Sequence, residues 1–270
     1  MIYSDLIDEN ITESADNGVL GQLEEKGSFG YKLFKYTITD DKMACKIQKQ
    51  KGTYLTININ PTFHNFQKAK TYLINKLAKS LQTLINSKKK NPYILVIGLG
   101  NAFIMADSLG AKIVKNLFTT HTLPKSLKND LGDLSALIPG VSGINSIPTF
   151  EIVKSIVDSQ KPDIVICIDA LTAKNYKRIG CSFQISNTSL TPGAGVGNTN
   201  QTLSKSTLGV EVVTIGVPLM INAKNFNELN NLPNFIVTPK DIDIIVNSCA
   251  NVVSNAINQA VHKQNYKNFY

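Results

Sequence analysis

From about residue 91 onward the chain alternates between two rhythms of apolar and polar positions. Tyr93 to Ile97 and Asp163 to Ile168 are apolar runs of strand length, as in strands covered on both faces. Helical spacing follows each of them. Asp107 to Phe118 places Leu109, Ile113, Val114 and Leu117 on one stripe, and Leu171 to Arg178 reads as a short helix. Pro148 suits the first turn of a helix over Pro148 to Ser159. Ser182 to Ser186 and Glu211 to Val217 are further strands, separated by the glycine-rich loop Pro192 to Asn198. A last helix opens at Thr238-Pro239 and runs to about His262, with Ile245, Cys249, Val252 and Ala256 among its inward positions. This alternation predicts an α/β fold, a doubly wound, mostly parallel sheet with helices on both faces.

The pattern upstream is different. Phe29 to Thr39 and Ala44 to Ile59 alternate residue by residue around Asp40-Asp41 and Lys51-Gly52, which predicts an antiparallel meander, an N-terminal β appendage. His64 to Asn86 carries a helical stripe. Residues 1–17 are polar and poorly patterned, as in a flexible arm. With no internal repeat, residues 18–270 read as one domain whose core spans about 91–262.

Composition narrows the class. Of 270 residues, 43% are hydrophobic and 18% charged, the balance of a globular protein. No run reaches the roughly 18 apolar residues of a membrane-spanning helix, and the first residues show no basic-then-apolar signal pattern. Cys45, Cys167, Cys181 and Cys249 form no CxxC pair, and Cys167 and Cys249 sit in apolar runs where a free thiol packs as a small hydrophobe. A cytoplasmic location is the expectation. The net charge of +8 comes from 28 basic and 20 acidic residues, but Arg178 is the single arginine. Direct nucleic-acid readers depend on arginine's two-pronged fork, so no such role is expected. A positive field suits an acidic protein substrate.

In open α/β sheets chemistry sits beyond the carboxyl ends of the strands. Two such ends carry a carboxylate. Ile97-Gly98-Leu99-Gly100-Asn101 leads through a glycine turn to Asp107, and the apolar run Ile166-Cys167-Ile168 ends directly on Asp169. A helix start would favour the ionised form of Asp107. A second carboxylate close by would resist ionisation, so the pair would hold one proton between them. That arrangement activates a water and protonates a leaving amine; the same pair could instead bridge a divalent metal. Taken singly, an Asp at a helix start is most often a cap and an Asp ending a strand is often turn chemistry.

Other motifs fail on inspection. Gly98-Leu99-Gly100-Asn101-Ala102-Phe103 has Phe103 where a dinucleotide fingerprint needs its third glycine. The Gly193-Ala194-Gly195-Val196-Gly197-Asn198 loop lacks the Lys-Ser/Thr ending of a phosphate loop, and Gly140-Val141-Ser142-Gly143 is one residue short of a nucleophile elbow. His64, His121 and His262 share no ligand spacing, and His262 is expected as an exposed partner of the helix dipole.

Taken together, several segments resemble the bacterial germination proteases. These are Gly98-Leu99-Gly100-Asn101 with Asp107-Ser108-Leu109-Gly110, Pro139-Gly140-Val141-Ser142-Gly143, and Pro162 to Leu171 ending in Ile168-Asp169-Ala170-Leu171. Gln184-Ile185-Ser186 with Pro192 to Asn198, Ile215-Gly216-Val217-Pro218 and Val237-Thr238-Pro239-Lys240 follow in the same order. The N-terminal part is similar chiefly at Ser4-Asp5-Leu6. The resemblance implies a fold similar to hydrogenase maturation proteases and a homotetramer. It implies an endopeptidase that degrades small acid-soluble spore proteins at germination, in the spore core, with Asp107 and Asp169 as catalytic residues. It leaves open whether they act as an aspartic pair or through a divalent metal on Asp107 and Asp169. Gly98, Gly100, Asn101, Gly193, Gly195, Gly197 and Asn198 would shape the site. The family's self-removal of an N-terminal propeptide would fall between Asp5 and Leu6.

The chain also departs from the family. Only Asn222 to Phe235 stand where a long insertion is common, Thr120-His121-Thr122 replaces T-R-H, and Asn187 replaces an Asp. Two alternatives are a hydrogenase-maturation-type endopeptidase and a degenerate homologue acting as a binding module. The first wants a carboxylate beside Asp107, where Ser108 stands, and a downstream metal-binding His; the second sits poorly with both aspartates present.

Overall fold

A computed structural model of the chain describes residues 4–11, 19–85, 87–128, 131–193, 201–225 and 235–262. In chain order the elements are α1 (Ile7–Asn10), β1 (Val19–Lys26), β2 (Lys32–Ile38), α2 (Asp41–Lys46), β3 (Gly52–Asn58), α3 (Gln67–Leu84) and β4 (Tyr93–Gly98). There follow α4 (Leu109–Lys115), β5 (Asp133–Leu137), α5 (Ser142–Asn145), α6 (Thr149–Gln160), β6 (Ile164–Ala173) and β7 (Ser182–Ser186). The chain continues through α7 (Lys205–Leu208), β8 (Glu211–Asn222), β9 (Ile236–Val237) and α8 (Ile242–His262).

Among the described residues the strands form one sheet in the order β1-β2-β3-β7-β8-β6-β4-β5, with β9 beside the end of β8. The α/β class holds. Helices cover both faces: α3, α4 and α8 pack on one, where Leu73, Leu77 and Leu81 meet Val246, Val252 and Val253, and α6 packs on the other through Phe150, Val153 and Val157. Each such side chain, fully buried, contributes on the order of 1.5–3 kcal/mol.

The sheet is mixed rather than mostly parallel. β5, β4, β6 and β8 run parallel, while β1, β2, β3, β7 and β9 join antiparallel. The link from β6 to β7, residues 174–181, is shorter than the crossover of about a dozen residues that a parallel strand takes. The expected β appendage is therefore not separate, because β3 pairs with β7 and extends the main sheet.

Other expectations need correction. Leu171 to Arg178 is not a helix: β6 continues to Ala173 against the long β8, and only Tyr176–Arg178 curl into a 3-10 turn. Asp40 is a helix cap rather than a hairpin residue, accepting the Met43 N–H at 2.9 Å, so Ala44 lies in α2. β5 shows no clear strand pattern in the sequence because its burial is partial along most of its length. His262 is buried, not exposed; its Nε2 meets the Phe118 carbonyl at 2.8 Å, and burial lowers its pKa. The expected arm is anchored over residues 4–11, where Leu6 and Ile7 are completely buried. Leu6 packs with Leu171 and Ala173, and Ile7 with Ile38, Met43 and Tyr54. The polar neighbours that make the stretch look unpatterned are themselves bonded, Glu9 to the Lys174 and Asn175 N–H groups and Asp8 to Arg178.

Candidate active site

β4 ends level with Ile168 of β6, where the Leu99 N–H continues their pairing onto the Ile168 carbonyl at 2.9 Å, and β6 runs on past it. Beyond that level the chain after β4 must double back immediately. Gly98 and Gly110 make this possible: a Cβ on Gly98 would sit 2.3 Å from the Gly110 carbonyl oxygen, so strand and α4 touch backbone to backbone. Gly100 turns the loop at φ +95°, and a Cβ there would fall 2.2 Å from the Asp107 carbonyl oxygen. Asn101 then donates its N–H to Oδ2 of Asp107 at 2.6 Å, and its own Oδ1 accepts the Phe103 N–H at 2.9 Å. The loop after β4 thus holds the Asp107 carboxylate over the strand ends.

Asp169 lies within β6, opposite Gly216 of β8, and is 9% exposed. Its Oδ1 accepts the Ala170 N–H at 3.0 Å. Burial drives its pKa well above the ordinary value, and the negative charges of Asp107 and then Asp5 add to that rise. Asp107 is also raised, by burial, against the smaller opposing effect of the Asn101 N–H. The dipole expectation for Asp107 is corrected here. Asp107 closes a 3-10 turn (Met105–Asp107) ahead of α4, so desolvation outweighs the helix terminus. Both carboxyls thus disfavour the charged form, Asp169 with the Asp107 charge adding to its burial.

Both aspartates line one groove of about 1450 Å³, together with Asp5, Lys49, Gln184 and Gly193. Asp5, from the N-terminal segment, forms part of its wall. Asp5 donates its N–H to the Thr172 carbonyl, and Thr172 returns its N–H to Oδ2 of Asp5, each at 2.8 Å. The Ile7 N–H reaches Oε1 of Gln184 at 2.7 Å. Lys49 Nζ donates to the Asp5 carbonyl oxygen at 2.7 Å, and Nε2 of Gln184 donates to the same atom at 3.3 Å. Burial of the Lys49 ammonium lowers its pKa, with the Asp5 charge acting in opposition.

The structure brings together Asp107, Asp169, Asp5, Gly100 and Asn101, with Gly193 on the rim and Leu6 buried next to Asp5. Gly98 lies beneath the site. Gly195, Gly197 and Asn198 fall outside the described residues. Lys49 was not legible as a site residue. It stands among Lys46, Lys49 and Lys51, which read as ordinary surface lysines, and its partner is 44 residues away in sequence. Gln184 had one signal, its place in the Gln184-Ile185-Ser186 segment. Among the described residues no group of three or more His, Cys, Asp and Glu is arranged for a metal. Two carboxylates fall short of a catalytic zinc's three protein ligands but match the one or two that a hydrated magnesium ion takes.

Comparison with known proteins shows the family of the chain. The family model for germination protease matches residues 4–230. The germination protease of Clostridium acetobutylicum is 32% identical over 93% of this chain and 90% of its own length. That of Caldanaerobacter subterraneus subsp. tengcongensis is 32% identical over 88% of this chain and 87% of its own. That of a Geobacillus species is 38% identical over 72% of this chain and 54% of its own. Among solved structures, a NiFe hydrogenase maturation protease from Thermococcus kodakarensis is 18% identical and covers 66% of this chain and 98% of its own, at a TM-score of 0.38. That score is too low to bear on the fold, which rests on the sheet itself. The matched span contains both strand-end aspartates and the N-terminal segment in the groove, and the chain belongs to the germination protease family.

Proposed function

We propose that this chain is an endopeptidase that hydrolyses small acid-soluble spore proteins at germination, with Asp107 and Asp169 as its acid–base pair. The observation that carries the reading is that Asp107, on the loop after β4, and Asp169, within the adjacent β6, line one groove and are both desolvated there. One carboxylate accepts a proton from water as the oxygen adds to the scissile carbonyl carbon. The tetrahedral species then collapses, the C–N bond breaks, and the carboxyl returns a proton to the leaving nitrogen. Asn101 and Ala170 hold the two carboxyls in place through their N–H groups. A divalent ion held by Asp107 and Asp169 would add Lewis-acid polarisation of the carbonyl.

The net charge of +8 favours encounter with an acidic protein. Family membership supports the remaining parts of the proposal: action in the spore core, assembly as a homotetramer, and removal of residues 1–5 by the enzyme itself. Among the described residues no helix is long and apolar enough to cross a membrane. The test is incubation of the purified chain with a DNA-free small acid-soluble spore protein, with and without chelator, and mass spectrometry of the products. Interior cuts support the reading and their absence under both conditions refutes it; loss of cutting with chelator alone assigns the metal route.

A further inference from the structure

The peptide unit joining Asp5 to Leu6 is held in an unusual way. Its carbonyl oxygen receives two side-chain donors, an ammonium from the stretch between α2 and β3 and an amide from β7. Each donor is brought by a different part of the sheet. Lys49 follows the end of α2, where its own N–H is tied back to the Ala44 carbonyl at 3.0 Å, and Gln184 sits in β7 between Thr56 of β3 and Gly216 of β8. Gly216 in turn lies opposite Asp169, so one cross-strand row runs from Gln184 to the aspartate. The N–H of Asp5 is paired with Thr172, three residues past Asp169 on the same strand. The carbonyl held by these two hydrogen-bond donors thus belongs to a residue that lines the same groove as Asp107 and Asp169.

Resting on the peptidase reading above, we propose that Lys49 and Gln184 grip the carbonyl oxygen of the bond to be cut and hold the negative charge that gathers there. When water adds to the carbonyl carbon, an aspartate takes its proton and the C=O π electrons move onto oxygen. That oxyanion lies between the Lys49 ammonium and the Gln184 amide. As it collapses the pair of electrons returns, the C–N bond breaks, and the nitrogen leaves with the aspartyl proton. Donors that strengthen as charge develops stabilise the transition state more than the bound substrate. The N-terminal segment shows where the substrate carbonyl is placed, and Ile7, bonded to Oε1 of the same Gln184, fixes the register two residues on.

The experiment measures kcat and KM for cleavage of a purified small acid-soluble spore protein by the full chain carrying Lys49→Met, Lys49→Arg or Gln184→Glu. Lys49→Met should lose about 10²–10³ in kcat, the usual effect of removing one such donor, with KM changed less than about threefold. Lys49→Arg should recover part of that loss, because it restores a cation. Gln184→Glu keeps the acceptor for Ile7 but not the donor, and should lose about tenfold or more. If the two donors merely tether the N-terminal segment, breaking them would clear the groove, and kcat would stay the same or rise. That outcome overturns the proposal. Should Lys49→Met not fold, Lys49→Arg and Gln184→Glu decide on the same readout. Wild-type cutting that is abolished by Asp169→Asn keeps the peptidase reading intact whichever way the lysine behaves; a wild-type chain that does not cut overturns both.

Discussion

Asp5 and Thr172 bond each other twice, backbone N–H to carbonyl and backbone N–H to carboxylate, both at 2.8 Å. Thr172 lies in the part of β6 that extends past its neighbour β4, whose pairing ends at Ile168. Asp5 caps that edge with one backbone and one side-chain hydrogen bond, without forming a strand there.

The proposed self-processing can be tested at that position. Protein incubated at mildly acidic pH should give a product beginning at Leu6, detected by mass spectrometry, and the product should not form in Asp169→Asn. Residues 6–11 should stay with the enzyme, because Leu6 and Ile7 are buried and Glu9 holds two backbone N–H groups. An intact N-terminus in a fully active enzyme would contradict this.

Asp169→Asn should also make the fold more stable at neutral pH. The folded-state pKa of Asp169 lies above its ordinary 3.8, so the ionised side chain destabilises the native state. Replacing it with a neutral amide should raise Tm. The sign of the pH dependence is fixed. The gain is complete above the raised pKa, shrinks as pH falls through it, and vanishes below 3.8, where the wild-type carboxyl is neutral in both states. Thermal unfolding at a series of pH values measures it; a variant less stable than wild type at neutral pH would remove the claim that this carboxyl is held at a cost.

Gly100→Ala should be costly twice over. A residue with a Cβ at φ +95° is strained by about 1–3 kcal/mol, and here the Cβ also meets the Asp107 carbonyl oxygen at 2.2 Å. Denaturant unfolding should show at least that loss, and cleavage should fall because the loop that places Asp107 must move. Wild-type stability and rate in Gly100→Ala would show that the turn does not set the carboxylate.

Much of this site is legible in the sequence, and the reason is local. Ile166-Cys167-Ile168-Asp169 is an apolar strand with one carboxylate at its end, and Gly98, Gly100 and Asn101 announce a tight turn before Asp107. Both signals lie within a few residues of the chemistry. What the sequence hides is set by partners far along the chain. Leu171 to Ala173 look free to start a helix until β8 and the N-terminal segment claim both edges of β6. Leu6 and Ile7 look like part of a polar arm until Leu171 and Tyr54 bury them. His262 reads as a surface histidine until Phe118, 144 residues earlier, accepts its bond. Lys49 is set apart from its neighbouring lysines by its burial and by its bond to the Asp5 carbonyl. The direction of β7 is likewise fixed by a short connection, not by its own residues.

The most direct measurement is kcat for Asp107→Asn, Asp169→Asn and the double variant on a DNA-free small acid-soluble spore protein, with circular dichroism to show that each is folded. Residues acting as one unit do not add, so either single change should abolish turnover by about 10³-fold or more and the double change should cost little beyond that. A single variant that retains full turnover, or two losses that multiply in the double variant, would contradict a shared aspartate pair.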